Sequence, residues 1–137
     1  MFFCEDVDFE LENSKNISKW IASCPLSAGF QIEEINYIFC SDEYLYKLNM
    51  EFLHHDTYTD IITFDNSESD KKITADIFIS IERVKENSKK FNVSFSHELN
   101  RVLIHGVLHL IGFKDKSPSE EKEMKNQEDL WLSKFTF

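Results

Sequence analysis

The sequence is poor in the residues that break or restrict a polypeptide chain. Of its 137 residues, only three are glycine and two are proline. This scarcity excludes a collagen-like or low-complexity protein. No run approaches the roughly 18 apolar residues that a membrane-spanning helix needs. A hydrophobic fraction of 42% is ordinary for a globular protein, so we expect one domain over residues 1–137.

Cysteine is also scarce, and the pattern it forms is informative. Cys4, Cys24 and Cys40 are odd in number and widely spaced, and no two form a C-x-x-C pair. We interpret them as reduced thiols, which disfavours a disulfide framework or a sulfur-rich metal site. Residues 1–6 lack a basic segment and turn acidic at once, which is unlike a secretory signal. We therefore expect a cytoplasmic protein.

Positive charge is in short supply. The chain has 15 Lys and Arg against 25 Asp and Glu, for a formal net charge of −10. This balance argues against a non-specific coat on nucleic acid and against binding to an anionic membrane surface. RNA remains a candidate substrate, because an enzyme needs only local cationic groups and a zinc ion supplies two charges.

What the sequence does contain is a regular alternation of helix and strand patterns. Runs rich in Ile, Phe and Thr predict strands, and capping residues followed by apolar periodicity predict helices. The polar segment 66–72 predicts a hairpin connection. The predicted strands are Ile32–Cys40, Asp60–Asp65 and Ile73–Ile81, with a short edge strand at Phe2–Phe9. The predicted helices are 14–23, 41–53, 80–91, about 94–111 and Ser117 to about Lys134.

The helix at about 94–111 differs from the others because it is apolar almost all round. Its polar residues form one stripe, Glu98, Arg101, His105 and His109, at spacings of three, four and four. A helix of this kind belongs in the centre of a fold. The stripe is too narrow for a solvated face, so we expect a central helix that exposes a thin polar seam to a cleft.

Two histidines of this stripe indicate a metal site. His105 and His109 are four residues apart, so their rings project from the same face of the helix. An H-x-x-x-H pair alone is weak evidence, but Gly112 can end the helix in a left-handed turn and bring Asp115 back as a third ligand. The spacing matches the metzincin arrangement, and a carboxylate is an ordinary zinc ligand. We predict one zinc ion held by His105, His109 and Asp115, with water in the fourth position.

The residues around the histidines narrow the chemistry. Metalloproteases carry Glu directly after the first His as the general base, and Gly106 holds that place here. A metallopeptidase is therefore disfavoured. Glu98 lies roughly 10 Å along the helix from His105, which is too far for a direct base. We interpret it as a helix N-terminal carboxylate or a salt-bridge partner.

The segment IHGVLHLIGF, residues 104–113, resembles the signature of the YbeY family of zinc-dependent endoribonucleases. Two further segments are similar to blocks of that family: Leu48-Asn49 followed by TDIITF at 59–64, and ADIFIS at 75–80. The resemblance covers about residues 30–135. It implies an α+β fold with a small mixed, mostly parallel sheet, an antiparallel edge, surrounding helices and a central metal-binding helix.

The resemblance also implies a function. It suggests a single-strand-specific, zinc-dependent endoribonuclease that acts in maturation of the 3′ end of 16S ribosomal RNA and in ribosome quality control. The expected partners are single-stranded or ribosomal RNA and small-subunit ribosomal proteins, with neither DNA nor membrane. The general acid and base cannot be assigned from the sequence.

Two positions depart from the family pattern. The family supplies a third His where this chain has Asp115, and an Arg in the RNA cleft where this chain has Leu53. Substitutes for that arginine could be His54, His55, Arg101, Lys114 or Lys116. These departures keep open an alternative, a non-catalytic ribosome-assembly factor that uses zinc to lock the loop after Gly112.

Overall fold

The computed structural model describes residues 1–55 and 57–135, and within them five helices surround a four-stranded sheet. Helices begin at serine caps in four of the five cases, where the hydroxyl accepts a backbone N–H, as the sequence predicts. The strands are β1 (Phe2–Cys4), β2 (Gln31–Cys40), β3 (Ile61–Asp65) and β4 (Lys72–Ser80). The helices are α1 (Ser14–Ser27), α2 (Asp42–Leu53), α3 (Ile81–Lys90), α4 (Phe95–Leu110) and α5 (Pro118–Ser133).

The sheet has the order β1-β2-β4-β3. β1 pairs with β2 and β2 pairs with β4 in parallel, whereas β3 pairs with β4 antiparallel. The segment between β3 and β4 is thus the predicted hairpin connection. The α+β class and the mostly parallel sheet with an antiparallel edge are confirmed.

Two element boundaries differ from the sequence prediction. The edge strand β1 covers only Phe2–Cys4, because its pairing with β2 stops at Cys4 and Phe39. Helix α1 continues to Ser27 through Pro25, although the prediction ends it at 23. Proline has no N–H to donate, yet Cys24 and Pro25 are buried in the core, so packing sustains the last turn.

Helix α4 lies at the centre of the main core. Leu103, Ile104, Val107 and Leu108 are fully buried in a cluster that includes residues of α1, α5, β2 and β4. A Cβ atom on Gly106 would lie 3.0 Å from Cδ1 of Ile77 and 3.2 Å from Cδ1 of Ile61. Side chains of the sheet therefore leave little room for a Cβ atom at this mid-helix position, which explains why glycine occupies it where α4 packs against β3 and β4.

Helix α2 packs on the other face of the sheet. Leu45 is fully buried against Cys40 and Ile62 in a second, smaller cluster. In the part of the chain that the structure describes, no helix is long and apolar enough to cross a membrane.

Candidate metal centre

The end of α4 brings the chain back toward its own histidines. Gly112 adopts a φ of 110°, a conformation that is open to glycine at no steric cost. The Gly112 N–H donates to the carbonyl of His109 over 3.1 Å, and the Phe113 N–H donates to that of Leu108 over 3.0 Å. This pair of bonds is a Schellman motif. The predicted glycine turn is confirmed, and it directs Asp115 to the polar face of α4.

The three predicted ligands lie together. His105 Nε2 and His109 Nε2 are 2.9 Å apart, and Asp115 Oδ2 lies 3.4 Å from the first and 3.3 Å from the second. They form the one group of His, Cys, Asp and Glu among the described residues that is compact enough to hold a metal ion. Ligand distances of about 2.0–2.2 Å give tetrahedral edges of roughly 3.3–3.6 Å. The two edges to Asp115 match this size, and the edge between the histidines, at 2.9 Å, is shorter.

The hydrogen bonds on the far side of each ring fix how the histidines face that point. His109 Nδ1 lies 2.9 Å from the carbonyl oxygen of Phe113, which can only accept, so Nδ1 carries the proton. His105 Nδ1 lies 2.6 Å from Oε2 of Glu128. In the neutral rings both Nε2 lone pairs therefore converge with the Asp115 carboxylate. Three such lone pairs repel one another unless a cation lies between them, so the donor set fits a bound metal.

Glu128 is the site residue that the sequence analysis missed. Glu128 is one of the buried residues of α5. Its carboxylate accepts a hydrogen bond from Arg101 Nη1 over 2.7 Å and another from His105. Arg101 is held a second time by Asp129, over 2.8 Å. A signal was available, because Met124, Glu128 and Trp131 fall on one helical face and are the buried residues of α5. A carboxylate on the buried face of a helix needs a hydrogen-bonding or charged partner, so this pattern predicts a contact for Glu128.

The electrostatics of the site follow from this packing. Burial of the His105 ring opposes its protonation, but the Glu128 carboxylate, with Asp115 and Asp60, outweighs burial and raises the pKa of His105. Burial also raises the pKa of Asp60, against the opposing effect of His105. The site is thus rich in negative charge that a metal cation would offset.

The triad lies between two cavities. The first, of about 850 Å³, runs along the segment from α2 into β3. The second, of about 630 Å³, lies between α4 and α5. The residues that line both are Glu98, Arg101, His105, Asp115 and Glu128. The polar stripe of α4 therefore faces a cleft, as expected, and the two cavities together form that cleft.

The cleft offers few free cations among the described residues. Of the five candidate substitutes for the family's arginine, His55, Arg101 and Lys116 line the first cavity. Neither His54 nor Lys114 does. The Arg101 guanidinium is occupied by Glu128 and Asp129. Leu53 lines the same cavity, so the position that the resemblance assigns to an arginine does face the cleft.

Glu98 matches one of its two sequence interpretations, the helix N-terminal carboxylate, and not the other. Its side chain lies in the first turn of α4 and is 4% exposed. In the described part of the chain, its carboxylate makes no hydrogen bond and no salt bridge, so the salt-bridge interpretation is wrong. Arg101, the cation three residues along the same helix, pairs with Glu128 and Asp129 of α5 instead. Burial, together with the negative charge of Asp60, raises the pKa of Glu98 to about 6.

Comparison with known proteins assigns the family. Residues 4–136 match the family described as Endoribonuclease YbeY. The chain is 51% identical over 132 residues to an Endoribonuclease YbeY of Cytophaga hutchinsonii, covering 96% of this chain and 92% of that protein.

A second relative agrees with that assignment, and a solved structure has a similar fold. An Endoribonuclease YbeY of Flavobacterium johnsoniae is 47% identical over 133 residues, covering 97% of this chain and 95% of that protein. A Thermotoga maritima protein with a solution structure aligns with a TM-score of 0.63 and 27% identity, over 98% of this chain and 89% of that one. The chain therefore belongs to the Endoribonuclease YbeY family.

Proposed function

We propose that this protein is a single-strand-specific, zinc-dependent endoribonuclease, built as one YbeY-like metallohydrolase domain over residues 1–137. Its metal ligands are His105, His109 and Asp115. Its proposed role is maturation of the 3′ end of 16S ribosomal RNA and ribosome quality control in the cytoplasm, with small-subunit ribosomal proteins as partners. The observation that carries the proposal is the convergence of three ligand atoms within 2.9–3.4 Å in the cleft of a YbeY-family chain.

The protein's own residues prepare the ligands for metal binding. Glu128 and the Phe113 carbonyl hold the Nδ1 protons, so each Nε2 lone pair points to the centre of the triad. Arg101 holds Glu128 in place, and the Gly112 turn delivers Asp115. When bound, zinc supplies a Lewis acid that polarises a phosphoryl oxygen and acidifies water at neutral pH.

The identity of the metal needs its own measurement. Two histidines and one carboxylate suit zinc, but the same set occurs in iron(II) oxygenases. We expect zinc, at about one ion per chain, in protein purified from rich medium and analysed by mass spectrometry. X-ray absorption should give two nitrogen ligands and carboxylate oxygen. Sulfur in that shell would bring a cysteine into the site and contradict the assignment.

The activity is tested with single-stranded RNA and rigorously purified protein. Zinc-loaded parent should cleave the RNA, whereas metal-free parent and the His105→Ala variant should not. His97→Ala is the matched control, because His97 lies on the same helix and outside the triad. Equal cleavage by parent and His105→Ala would trace the activity to a contaminant and overturn the proposal.

One observation favours a second candidate, a non-catalytic ribosome-assembly factor. The first cavity is lined by two side chains that are positively charged at neutral pH, Arg101 and Lys116. It is also lined by five carboxylates, Asp60, Asp65, Glu98, Asp115 and Glu128. Such a lining disfavours phosphate unless a metal offsets it. The two candidates differ in one result: an assembly factor binds small ribosomal subunits equally well when metal-loaded, yet leaves RNA intact.

A further inference from the structure

The N-terminal end of the α4 stripe holds a buried carboxylate with no partner. Glu98 is 4% exposed, and none of the described residues donates a hydrogen bond to its carboxylate or pairs with it. Its carboxylate borders the two cavities, and the burial of most of the residue without a hydrogen-bond donor is costly. The other buried acid of the cleft, Glu128, has both His105 and Arg101 as partners. A group with this deficit is suited to a ligand that brings donors with it.

The position of Glu98 indicates which part of an RNA strand it meets. Glu98 lines both cavities, so it borders the path of a strand that passes the metal centre. It precedes His105 by seven residues, roughly 10 Å along the helix. That separation is too large for contact with the phosphate at the metal centre, but it suits the base of a neighbouring nucleotide.

The chemistry around Glu98 selects the ligand. Asp60, Glu98 and Glu128 are all acidic and act on one another electrostatically, so a phosphate is repelled here. A second metal ion is disfavoured, because no three ligand atoms other than those of His105, His109 and Asp115 come close enough among the described residues. Base N–H groups remain, and carboxylates accept them well.

Guanine is the base that matches a carboxylate. Its Watson–Crick edge presents two adjacent donors, N1–H and N2–H, to the two oxygens of a carboxylate. Adenine and cytosine present one donor beside an acceptor, and that acceptor would face the second oxygen. We propose that Glu98 forms a guanine-recognition subsite for a nucleotide next to the cleaved bond. This subsite rests on the proposed function, since it presumes RNA in the cleft.

The test is the base preference of cleavage in a pool of single-stranded RNA with a randomised segment. Zinc-loaded parent should enrich guanine at one fixed position from the cleaved bond. Glu98→Gln offers one donor and one acceptor, a pattern that every base can match along its Watson–Crick edge, so the guanine enrichment at that position should be lost. Glu98→Ala should lose the preference without gaining another. Glu12→Gln, the same change in an exposed loop, should keep the parent pattern.

A binding measurement separates failure of the subsite from failure of the activity. Inosine lacks the N2 amino group, so replacing guanine by inosine in a short oligonucleotide should weaken parent binding by about tenfold and leave Glu98→Gln unchanged. Absent cleavage with this difference intact would overturn the proposed function and support the subsite. Equal binding of both oligonucleotides by the parent, or one cleavage pattern for parent and Glu98→Gln, would overturn the subsite.

Discussion

The two ends of the polar stripe on α4 differ in whether their polar side chains have hydrogen-bond partners. At the C-terminal end, each histidine has a fixed partner behind it, Glu128 for His105 and the Phe113 carbonyl for His109. At the N-terminal end, Glu98 is more deeply buried than either histidine, and no residue that the structure describes pairs with it. The comparison teaches that burial alone does not define a role. A buried polar group that already has a partner is positioned to bind its ligand. A buried polar group without one obtains its hydrogen bonds from the ligand that it binds.

The largest expected effect concerns the third ligand. Asp115→Ala should weaken zinc binding by more than about 100-fold, because it removes a ligand rather than a supporting contact. Asp115→His should keep or strengthen binding, since imidazole is an ordinary zinc ligand. A competition titration with a chelator measures both, with the exposed Lys114→Ala as control. Tight zinc binding by Asp115→Ala would show that Asp115 is not a metal ligand.

The next effect tests whether the partners behind the histidines matter. Glu128→Gln should weaken zinc binding by about 10–100-fold, because the carboxylate no longer fixes the His105 ring. Asp129→Asn is the matched control, since Asp129 also accepts from Arg101 but does not contact His105. Equal losses of zinc affinity in the two variants would show that the effect acts through Arg101 rather than through the His105 ring.

The same comparison shows what the sequence could and could not predict. The i, i+4 histidines, the Gly112 turn and the Asp115 return are local, so spacing along one helix was enough to place them. Glu128 lies 23 residues from His105, and its contact depends on how α5 packs on α4. The salt-bridge alternative for Glu98 was wrong for a related reason, because Arg101 pairs with Glu128 and Asp129 of α5.

The fold was predictable to a similar depth. Helix caps and strand composition set most element boundaries, since those signals lie within a few residues of one another. The end of α1 was missed because burial of Cys24 and Pro25 overrides the local cost of proline. The tight contact at Gly106 is visible only in the packed structure, where the side chains of Ile61 and Ile77 make it.

A smaller effect concerns the unpartnered end. The pKa of Glu98 is raised to about 6 in the folded protein, from about 4.3 in an unfolded chain. Holding it ionised therefore costs stability above pH 6, and the cost disappears as the pH falls below the unfolded value. Glu98→Gln should raise the free energy of unfolding by about 1 kcal/mol at pH 8.

This gain should shrink as the pH falls from 7 to 5, because the parent Glu98 takes up a proton. Urea unfolding of both proteins across that range, in one metal state, measures it, with Glu12→Gln as the control. A Glu98→Gln protein that is less stable than the parent at pH 8 would mean that Glu98 has a partner after all.

The smallest effect concerns phosphate contacts in the cleft. Leu53→Arg adds one cation to the first cavity, so it should tighten single-stranded RNA binding a few-fold and steepen the salt dependence by roughly 0.7 in log–log slope. The parent slope should be shallow, given the net charge of −10. A salt titration of both proteins tests this, and an unchanged slope would remove residue 53 from the RNA path.

The central claim is that one metal ion in the triad makes this protein an RNA-cleaving enzyme. The most direct measurement titrates metal-free protein with zinc while following cleavage of a single-stranded RNA. We expect the rate to rise in proportion to zinc and to stop rising at about one ion per chain, with no rise in His105→Ala. Cleavage by the metal-free protein, or a rate independent of zinc, would contradict the account.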